Sequence, residues 1–152
     1  MKTVVGACYN YCTIVWALCT DGTLHNWNTT FASNTDYSNT ITDVMNNGMT
    51  DHNPWFQCTL NSFAGKTFTK VVAMSNVSFA ALDTDGNVHT WGNNQTGEMG
   101  RNAAAGTSYT SAIINSLGSL NGKVVVDIVA RYNSLWAIDS TGRIHVTGAV
   151  GH

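Results

Sequence analysis

The sequence predicts an all-β fold built from repeated antiparallel hairpins, and three observations lead to this prediction. Only 11% of the 152 residues are charged, and polar character comes chiefly from Asn, Thr, Ser and Gly, which favour turns and strands over helices. A strand–turn–strand pattern recurs three times along the chain. Each copy places a glycine-containing turn between two strand-like runs, which is a strong signal for a hairpin.

The three copies of this pattern align without gaps at 14–27, 78–91 and 134–147. Each copy starts with a run of aliphatic and aromatic residues, continues through a polar turn, and ends in an aliphatic residue followed by histidine. The turns contain Gly22, Gly86 and Gly142. Because Asp-Gly is typical of hairpin turns whose two central residues both have positive φ, we expect that conformation here.

A shorter aliphatic run precedes each copy and predicts the first strand of each unit. These runs end in turns at Asn10, Asn76 and Asn133. The strand after each glycine alternates between aliphatic and polar residues, and it reaches Trp27 in the first unit and Trp91 in the second. We expect the repeated asparagines, glycines and tryptophans to be structural residues of the repeat.

Units of three or four antiparallel strands at this spacing favour the blades of a β-propeller over a β-sandwich. We therefore predict a single repeat domain over residues 1–152, with units at about 1–59, 60–113 and 114–152. The first unit carries an insertion at 29–59 that is rich in Asn, Thr, Asp and Ser. The predicted fold class is thus an all-β, partial β-propeller of about three antiparallel blades.

The second unit continues into the segment Trp91-Gly-Asn-Asn-Gln-Thr-Gly-Glu-Met-Gly100. With the Ala-Leu strand and Asp-Gly turn before it, this segment resembles the propeller repeat of the regulator of chromosome condensation type, which ends roughly in Trp-Gly-x-Asn-x-x-Gly-Gln-Leu-Gly. The first unit departs from that motif at Asn28, and the third has Thr147 in place of the tryptophan. The resemblance implies a propeller, but not one function, because that family includes an exchange factor, enzyme inhibitors and a photoreceptor.

The resemblance also implies more blades than this sequence supplies, since propellers of that family characteristically have seven. Three blades leave an apolar face and strand edges uncovered at the two ends, which favours association. We therefore expect self-association or a larger assembly, for example two copies joined head to tail in a six-bladed ring. An open arc capped by the insertion at 29–59, or docked on a larger assembly, is the alternative.

The sequence contains no recognisable catalytic constellation, so we predict a protein that is not an enzyme and uses no cofactor. Glu98 is the single glutamate, and no repeated carboxylate pair, nucleophile elbow or phosphate-binding loop is present. The net charge of −2 argues against nucleic-acid binding, and no apolar run has the length of a membrane span. Another protein is therefore the expected partner.

Two patterns resemble metal sites, and in both cases we favour a structural role and predict no metal. One histidine recurs at the same position of the repeat, which suits a half-buried ring with a polar tip: His25, His89 and His145. The segment 83–87 resembles the start of a calcium loop but lacks further oxygen ligands, so we expect a plain turn. The cysteines fit no zinc spacing and are expected to be buried thiols: Cys8, Cys12, Cys19 and Cys58.

Candidate binding residues lie in two places. His52, Trp55 and Phe56 stand near the end of the insertion, where the aromatic pair is either an exposed anchor or part of the packing of the first unit. Asn94 and Glu98 lie in the glycine-rich motif. The low-charge surface favours a structural or receptor-binding component of a virus particle, such as a phage, at the virion or extracellular surface. A cytoplasmic regulator of the exchange-factor or inhibitor type is the alternative.

Overall fold

A computed structural model describes residues 2–9, 12–29, 56–57, 63, 65–74, 78–94, 96–101 and 107–149. These residues form three antiparallel sheets, one in each copy of the repeat, which we term the first, second and third blade. The predicted all-β fold of about three antiparallel blades is confirmed.

The first blade contains four strands, β1 (Thr3–Tyr9), β2 (Cys12–Leu18), β3 (Leu24–Thr29) and β4 (Phe56–Gln57). The second contains β5 (Phe68–Ala73), β6 (Ser78–Asp83), β7 (Val88–Asn94) and β8 (Thr107–Ile113). The third contains β9 (Val125–Arg131), β10 (Ser134–Asp139) and β11 (Ile144–Gly148). A short 3₁₀ helix, Gly118–Leu120, lies between the second and third blades in sequence. Within every blade, strands that are consecutive in sequence pair with each other, so each blade is a simple meander.

Each blade has the same kind of hairpin turn between its second and third strands. In each turn the glycine N–H donates to a carbonyl three residues earlier: Gly22 to Cys19 (3.0 Å), Gly86 to Asp83 (3.1 Å) and Gly142 to Asp139 (2.9 Å). The three glycines have φ of +83°, +81° and +86°, and no other described residue of these turns has positive φ. The expectation that both central residues have positive φ is therefore wrong. The turns are three-residue loops in which only the glycine is left-handed.

The end of the predicted insertion belongs to the first blade. Strand β4 pairs with β3, so that Phe56 lies opposite Asn26 and Gln57 opposite His25. Phe56 is therefore on the outermost strand of this blade. Residues 30–55, which include His52 and Trp55, lie outside the described residues.

The apolar cores lie between the blades rather than within any one of them. One core joins the first and second blades and contains Trp16, Phe79 and Trp91 among its larger side chains. The other joins the second and third blades and contains Ile128 and Leu135 together with residues of β6 and β7. Because each core draws its side chains from two blades, each blade depends on its neighbour for burial, as in other repeat proteins.

The turn glycines also set the contact between successive blades. The carbonyl of Gly22 accepts the N–H of Phe68, and the carbonyl of Gly86 accepts the N–H of Val125, both at 2.9 Å. A Cβ on Gly86 would lie 2.5 Å from Cγ1 of Val124 and 3.0 Å from the carbonyl oxygen of Val125. The next blade thus approaches so closely that the turn requires a residue without a side chain.

Gly86→Ala and Gly142→Ala form a matched pair that tests this contact. Both force an alanine into the left-handed region, which costs about 1–2 kcal/mol. No described atom lies within 4 Å of a Cβ built on Gly142, whereas the same atom on Gly86 meets the start of β9. We therefore expect Gly86→Ala to lower the free energy of unfolding in urea by at least about 1 kcal/mol more than Gly142→Ala. Equal losses would contradict the close approach.

Candidate interaction surface

Each blade has a forward face, which points towards the blade that follows it in sequence, and a rear face on the opposite side. The strand register places equivalent residues of the repeat in equivalent rows on these faces. The forward faces contain Trp16, Leu18 and Leu24 in the first blade, Ala80, Leu82 and Val88 in the second, and Trp136, Ile138 and Ile144 in the third. The exposure of equivalent residues therefore shows which faces are covered.

The forward face of the first blade is covered by aromatic residues of the second. The Trp16 ring lies 4.9 Å from the Trp91 ring and 6.0 Å from the Phe79 ring, in edge-on and tilted geometries that aromatic pairs favour. Trp16 is 0% exposed. The indole N–H groups of Trp16 and Trp91 have no hydrogen-bond partner among the described residues. Apolar packing therefore stabilises this contact.

The forward face of the second blade is covered in the same way by the third. Ala80, which stands where the first blade has Trp16, is 0% exposed, and Leu82 is also buried. These residues belong to the same core as Ile128 and Leu135, which lie on the rear face of the third blade. The two contacts between blades are thus built alike, from a forward face against a rear face.

An ion pair adds a polar link between the second and third blades. The Lys70 ammonium donates to Oδ1 of Asp127 at 2.7 Å, and this hydrogen bond lowers the pKa of the Asp127 carboxyl. Both side chains are partly exposed, so solvent screens their attraction. The apolar core therefore dominates this contact.

No described residue covers the forward face of the third blade. Trp136 is 39% exposed, although its repeat equivalent Trp16 is fully buried. Val129 and Val146 lie directly opposite Trp136 on the two neighbouring strands, Ile144 lies in the next row, and all three are exposed. A contiguous apolar surface of this kind on a folded domain typically marks an interaction site. We refer to Val129, Trp136, Ile144 and Val146 as the open forward face.

The Trp136 ring is held in place by its own blade. Its indole N–H donates to Oγ of Ser134 at 3.1 Å, and that hydroxyl donates to the carbonyl of Arg131 at 2.7 Å. The side chain is therefore ordered before a partner binds. Such preorganisation lowers the entropy cost of association.

The rear face of the first blade is likewise not covered by any residue that the structure describes. Val4, which lies opposite Ala17, is 48% exposed. Val71 and Ile128, which are its equivalents by strand register because they lie opposite Ala81 and Ala137, are each 1% exposed. Gly6 and Val15, which face each other in the next row of this face, are exposed and half-buried respectively. We refer to Val4, Gly6 and Val15 as the open rear face.

Several solved structures are similar to this arrangement of blades. No family model matches the sequence, and no curated protein matches it. Among solved structures, human WBSCR16 is similar with a TM-score of 0.61 and 18% identity, over 96% of this chain and 33% of that one. Prp20p from Saccharomyces cerevisiae is similar with a TM-score of 0.60 and 13% identity, over 90% of this chain and 30% of that one. The structure of Kap60 bound to yeast RCC1 (Prp20) gives a TM-score of 0.56 and 15% identity, with coverage of 90% and 30%.

The chain has the fold of a partial RCC1-type β-propeller. The resemblance seen in the sequence is thereby confirmed for the fold. The chain spans 30–33% of the length of these solved structures.

A buried Asp–His pair recurs in two blades of the propeller and was not predicted from the sequence. Nε2 of His89 donates to Oδ2 of Asp83, and Nε2 of His145 donates to Oδ2 of Asp139, both at 2.9 Å. The spacing of six residues between partners is identical in the two units and is the signal that reveals the pair. In the first blade the aspartate position is Cys19.

Each pair also closes the adjoining hairpin turn of the propeller. The other carboxylate oxygen of Asp83 accepts backbone N–H groups of Asp85 and Asn87, at 3.0 and 2.8 Å. Oδ1 of Asp139 accepts the backbone N–H and the hydroxyl of Thr141, at 2.9 and 2.6 Å. The segment that resembles a calcium loop therefore has its first carboxylate engaged in the turn itself.

These contacts shift the protonation equilibria of the pairs. Burial raises the pKa of the Asp83 carboxyl, but hydrogen bonds from His89 and Asn87 outweigh it and hold this pKa below its ordinary value. Burial lowers the pKa of His89 despite the opposing effect of Asp83. Hydrogen bonds from Thr141 and then His145 hold the pKa of Asp139 far below its usual range. At neutral pH the Asp83–His89 pair is thus a carboxylate and a neutral imidazole.

The predicted binding residues Asn94 and Glu98 are both buried in the connection that follows β7. Oδ1 of Asn94 accepts the N–H of Met99 at 3.1 Å. Oε2 of Glu98 accepts the N–H and the hydroxyl of Thr96 at 2.6 and 2.9 Å, and Oε1 accepts the hydroxyl of Ser78 at 3.2 Å. Both side chains shape this connection in the structure, and their role in binding stays a prediction.

The predicted structural residues are described in part. Trp91 is fully buried, and the carbonyl of Asn133 accepts the N–H of Ala149 at 2.9 Å next to the turn between β9 and β10. Trp27 lies on β3 opposite Val15. Asn10 and Asn76 lie outside the described residues.

A pocket of about 270 Å³ lies between the second and third blades, beside the 3₁₀ helix. Its polar lining residues are engaged with the protein itself. The Arg101 guanidinium donates to the carbonyl of Thr90, and the Ser119 hydroxyl donates to Nδ1 of His145 at 2.8 Å. These bonds tie the lining of the pocket to the two blades.

Among the described residues, no helix is long and apolar enough to cross a membrane. The same residues contain no group of three or more His, Cys, Asp or Glu side chains arranged to hold a metal ion. Cys19 is a free, half-buried thiol.

Trp16→Ala and Trp136→Ala compare a covered tryptophan with its uncovered equivalent. We expect Trp16→Ala to lower the free energy of unfolding by about 3–5 kcal/mol, because it leaves a cavity between two blades. Trp136→Ala is expected to cost less than about 1 kcal/mol, because its ring is partly in water. Urea unfolding at high dilution measures both, and similar losses would show that the two faces are equally covered.

Acidification is expected to destabilise the propeller through His89. Its pKa is lower in the folded chain than in the unfolded chain, so below about pH 6.5 the unfolded state binds the proton first. The free energy of unfolding then falls with pH, by up to about 1.4 kcal/mol per unit for this one group. Below about pH 4 the depressed carboxyl of Asp83 adds a second loss in the same direction.

His89→Gln keeps a hydrogen-bond donor near Asp83 but removes the titrating ring. Urea unfolding of this variant between pH 7 and pH 5 is expected to show a shallower dependence on pH than the wild type. Identical slopes would mean that His89 protonates equally in the folded and unfolded chains.

Proposed function

We propose that this propeller segment binds another protein through its open forward face and has no catalytic role. The observation that carries the proposal is the exposure of Trp136, at the repeat position where Trp16 is fully buried by the next blade. The two covered forward faces of the chain each bind a β-sheet. A partner that presents an apolar β-sheet fits the third face best.

The physical driving force is the removal of apolar surface from water, worth about 25 cal/mol per Å². Tryptophan is enriched among the residues that dominate protein–protein contacts. The rows that contain Trp136 and Ile144 lie on paired strands, so little ordering is needed on binding. A rigid, apolar and preformed surface favours a stable contact.

The solved propellers of this fold support a protein partner. The Prp20p structure was reported together with its binding to Gsp1p and histones, and yeast RCC1 (Prp20) is found bound to Kap60. A regulator of the exchange-factor type is therefore compatible with the fold. That alternative needs an acidic surface for a basic partner, whereas the open forward face is apolar. The virus-particle component favoured by composition gains no support from these structures.

Thiol labelling of an Ile144→Cys variant tests whether the open forward face is covered in the functional state. Ile144 is 63% exposed, so the introduced thiol reacts readily in the purified chain at high dilution. In intact cells or particles that contain the protein, we expect labelling to slow at least about tenfold, as for a contact of 1.4 kcal/mol or more. Mass spectrometry of the labelled peptide separates this thiol from the native cysteines.

Leu117→Cys is the matched control, because Leu117 is also an exposed apolar residue but lies in the connection between β8 and β9. The labelling rate of Ile144→Cys is read as a ratio to that of this control. A ratio that is the same in cells and in the purified chain would refute the proposed function.

A further inference from the structure

We infer that the partner of the open forward face is the open rear face of a second copy of this chain. The inference rests on the proposed function and names its partner. Within the chain, a forward face packs against a rear face twice, and the chain has one open face of each kind.

The exposed positions on the two open faces are equivalent to covered positions elsewhere in the chain. Trp136 on the open forward face corresponds to Trp16 and Ala80, which are both covered by the following blade. Val4 on the open rear face corresponds to Val71 and Ile128, which are both covered by the preceding blade. The two open faces therefore carry the two complementary halves of one repeated contact.

The contact also needs space for the Trp136 ring on the open rear face. On the rear face of the second blade, Phe79 and Trp91 form the wall that Trp16 meets. On the open rear face the position of Phe79 is taken by the smaller Val15, with Gly6 opposite it on β1 and Trp27 opposite it on β3, at the position of Trp91. The exchange of Phe79 for Val15 therefore gives this row of the open rear face more space for a ring such as that of Trp136.

The hairpin turn of the third blade resembles the two turns that bond to a following blade. The carbonyls of Gly22 and Gly86 each accept an N–H from the start of the following blade. Gly142 has the same left-handed conformation, and no described atom lies within 4 Å of its Cβ position. The turn is thus shaped for the close approach of a strand and is open on that side.

The residues of the two open faces are also compatible in charge. The residues that define the open forward face and the open rear face are apolar or glycine, so they bring no charge into the contact. Asp127, which already bonds to Lys70, and Arg131 lie on the same side of the third blade, opposite Ile138 and Ser134. The contact joins two different surfaces and is therefore heterologous. Repetition of such a contact gives a closed ring when the rotation closes, and a filament when it does not.

Light scattering or sedimentation of the 152-residue chain over a range of concentrations tests the inference. We expect the mass to rise from 16.3 kDa to a multiple of it as the concentration increases. A mass that stays at 16.3 kDa at every concentration would overturn the inference.

Ile144→Asp and Val4→Asp each place a charge on one of the two faces. Each variant alone is expected to weaken self-association by about 100-fold or more, as for a charge buried at the centre of an interface. Leu117→Asp, which changes an exposed apolar residue outside both faces, is expected to associate like the wild type. Circular dichroism confirms folding, and Ile144→Lys and Val4→Lys replace any variant that does not fold.

An equimolar mixture of the two aspartate variants gives the decisive result. The intact forward face of Val4→Asp meets the intact rear face of Ile144→Asp, so a heterodimer with one contact is expected from two chains that do not associate alone. If Val4→Asp instead dimerises as the wild type does, the forward faces pack on each other and the inference is wrong.

The labelling experiment on Ile144→Cys separates this inference from the proposed function. A monomeric chain whose thiol is nevertheless protected in cells has a different protein or a further stretch of polypeptide on its open forward face. That outcome overturns the second copy as partner and retains the proposed function. A monomeric chain without protection overturns both.

Discussion

The contact between one forward face and the rear face that follows it decides where the large apolar side chains of this segment are placed. Trp16 is removed from water only because Phe79 and Trp91 of the next blade lie against it. The second blade contacts a neighbour on each face, and its inner strand β6 has no exposed residue. Each blade is therefore stabilised by its neighbour. Because the outer faces of the first and third blades lack such a neighbour among the described residues, they are available for association.

Polar groups reinforce each blade at the turn where it meets the next one. In the second and third blades an aspartate bonds the turn backbone with one oxygen and a histidine with the other. The aspartate thus fixes the hairpin whose glycine carbonyl receives the following strand. The first blade has Cys19 at this position, and His25 there bonds to the hydroxyl of Thr23 at 3.2 Å. This difference shows that the glycine turn forms without the Asp–His pair.

Much of the fold was predictable because the same strand and turn pattern occurs in three aligned copies, so each copy supports the interpretation of the other two. Three aligned glycines predict three hairpins, and the alternation of aliphatic and polar residues after each glycine predicts the third strand of each unit. The turn type was not predictable from Asp-Gly alone, since that pair suits both two-residue and three-residue loops. An uncovered apolar face at each end was predicted from the number of blades, but the residues that form it were not, because Trp16 and Trp136 occupy the same position of the repeat. Only the presence of a following blade distinguishes them, and that is a property of packing rather than of residue type.

The join at Gly22 and Gly86 has a consequence for how such proteins change in evolution. It uses a backbone carbonyl, a backbone N–H and a residue with no side chain, so it makes few demands on the identity of the residues around it. A gene duplication that appends one unit would bring a compatible join with it, as long as the glycine is retained. The number of blades can therefore change while the residues around the join diverge.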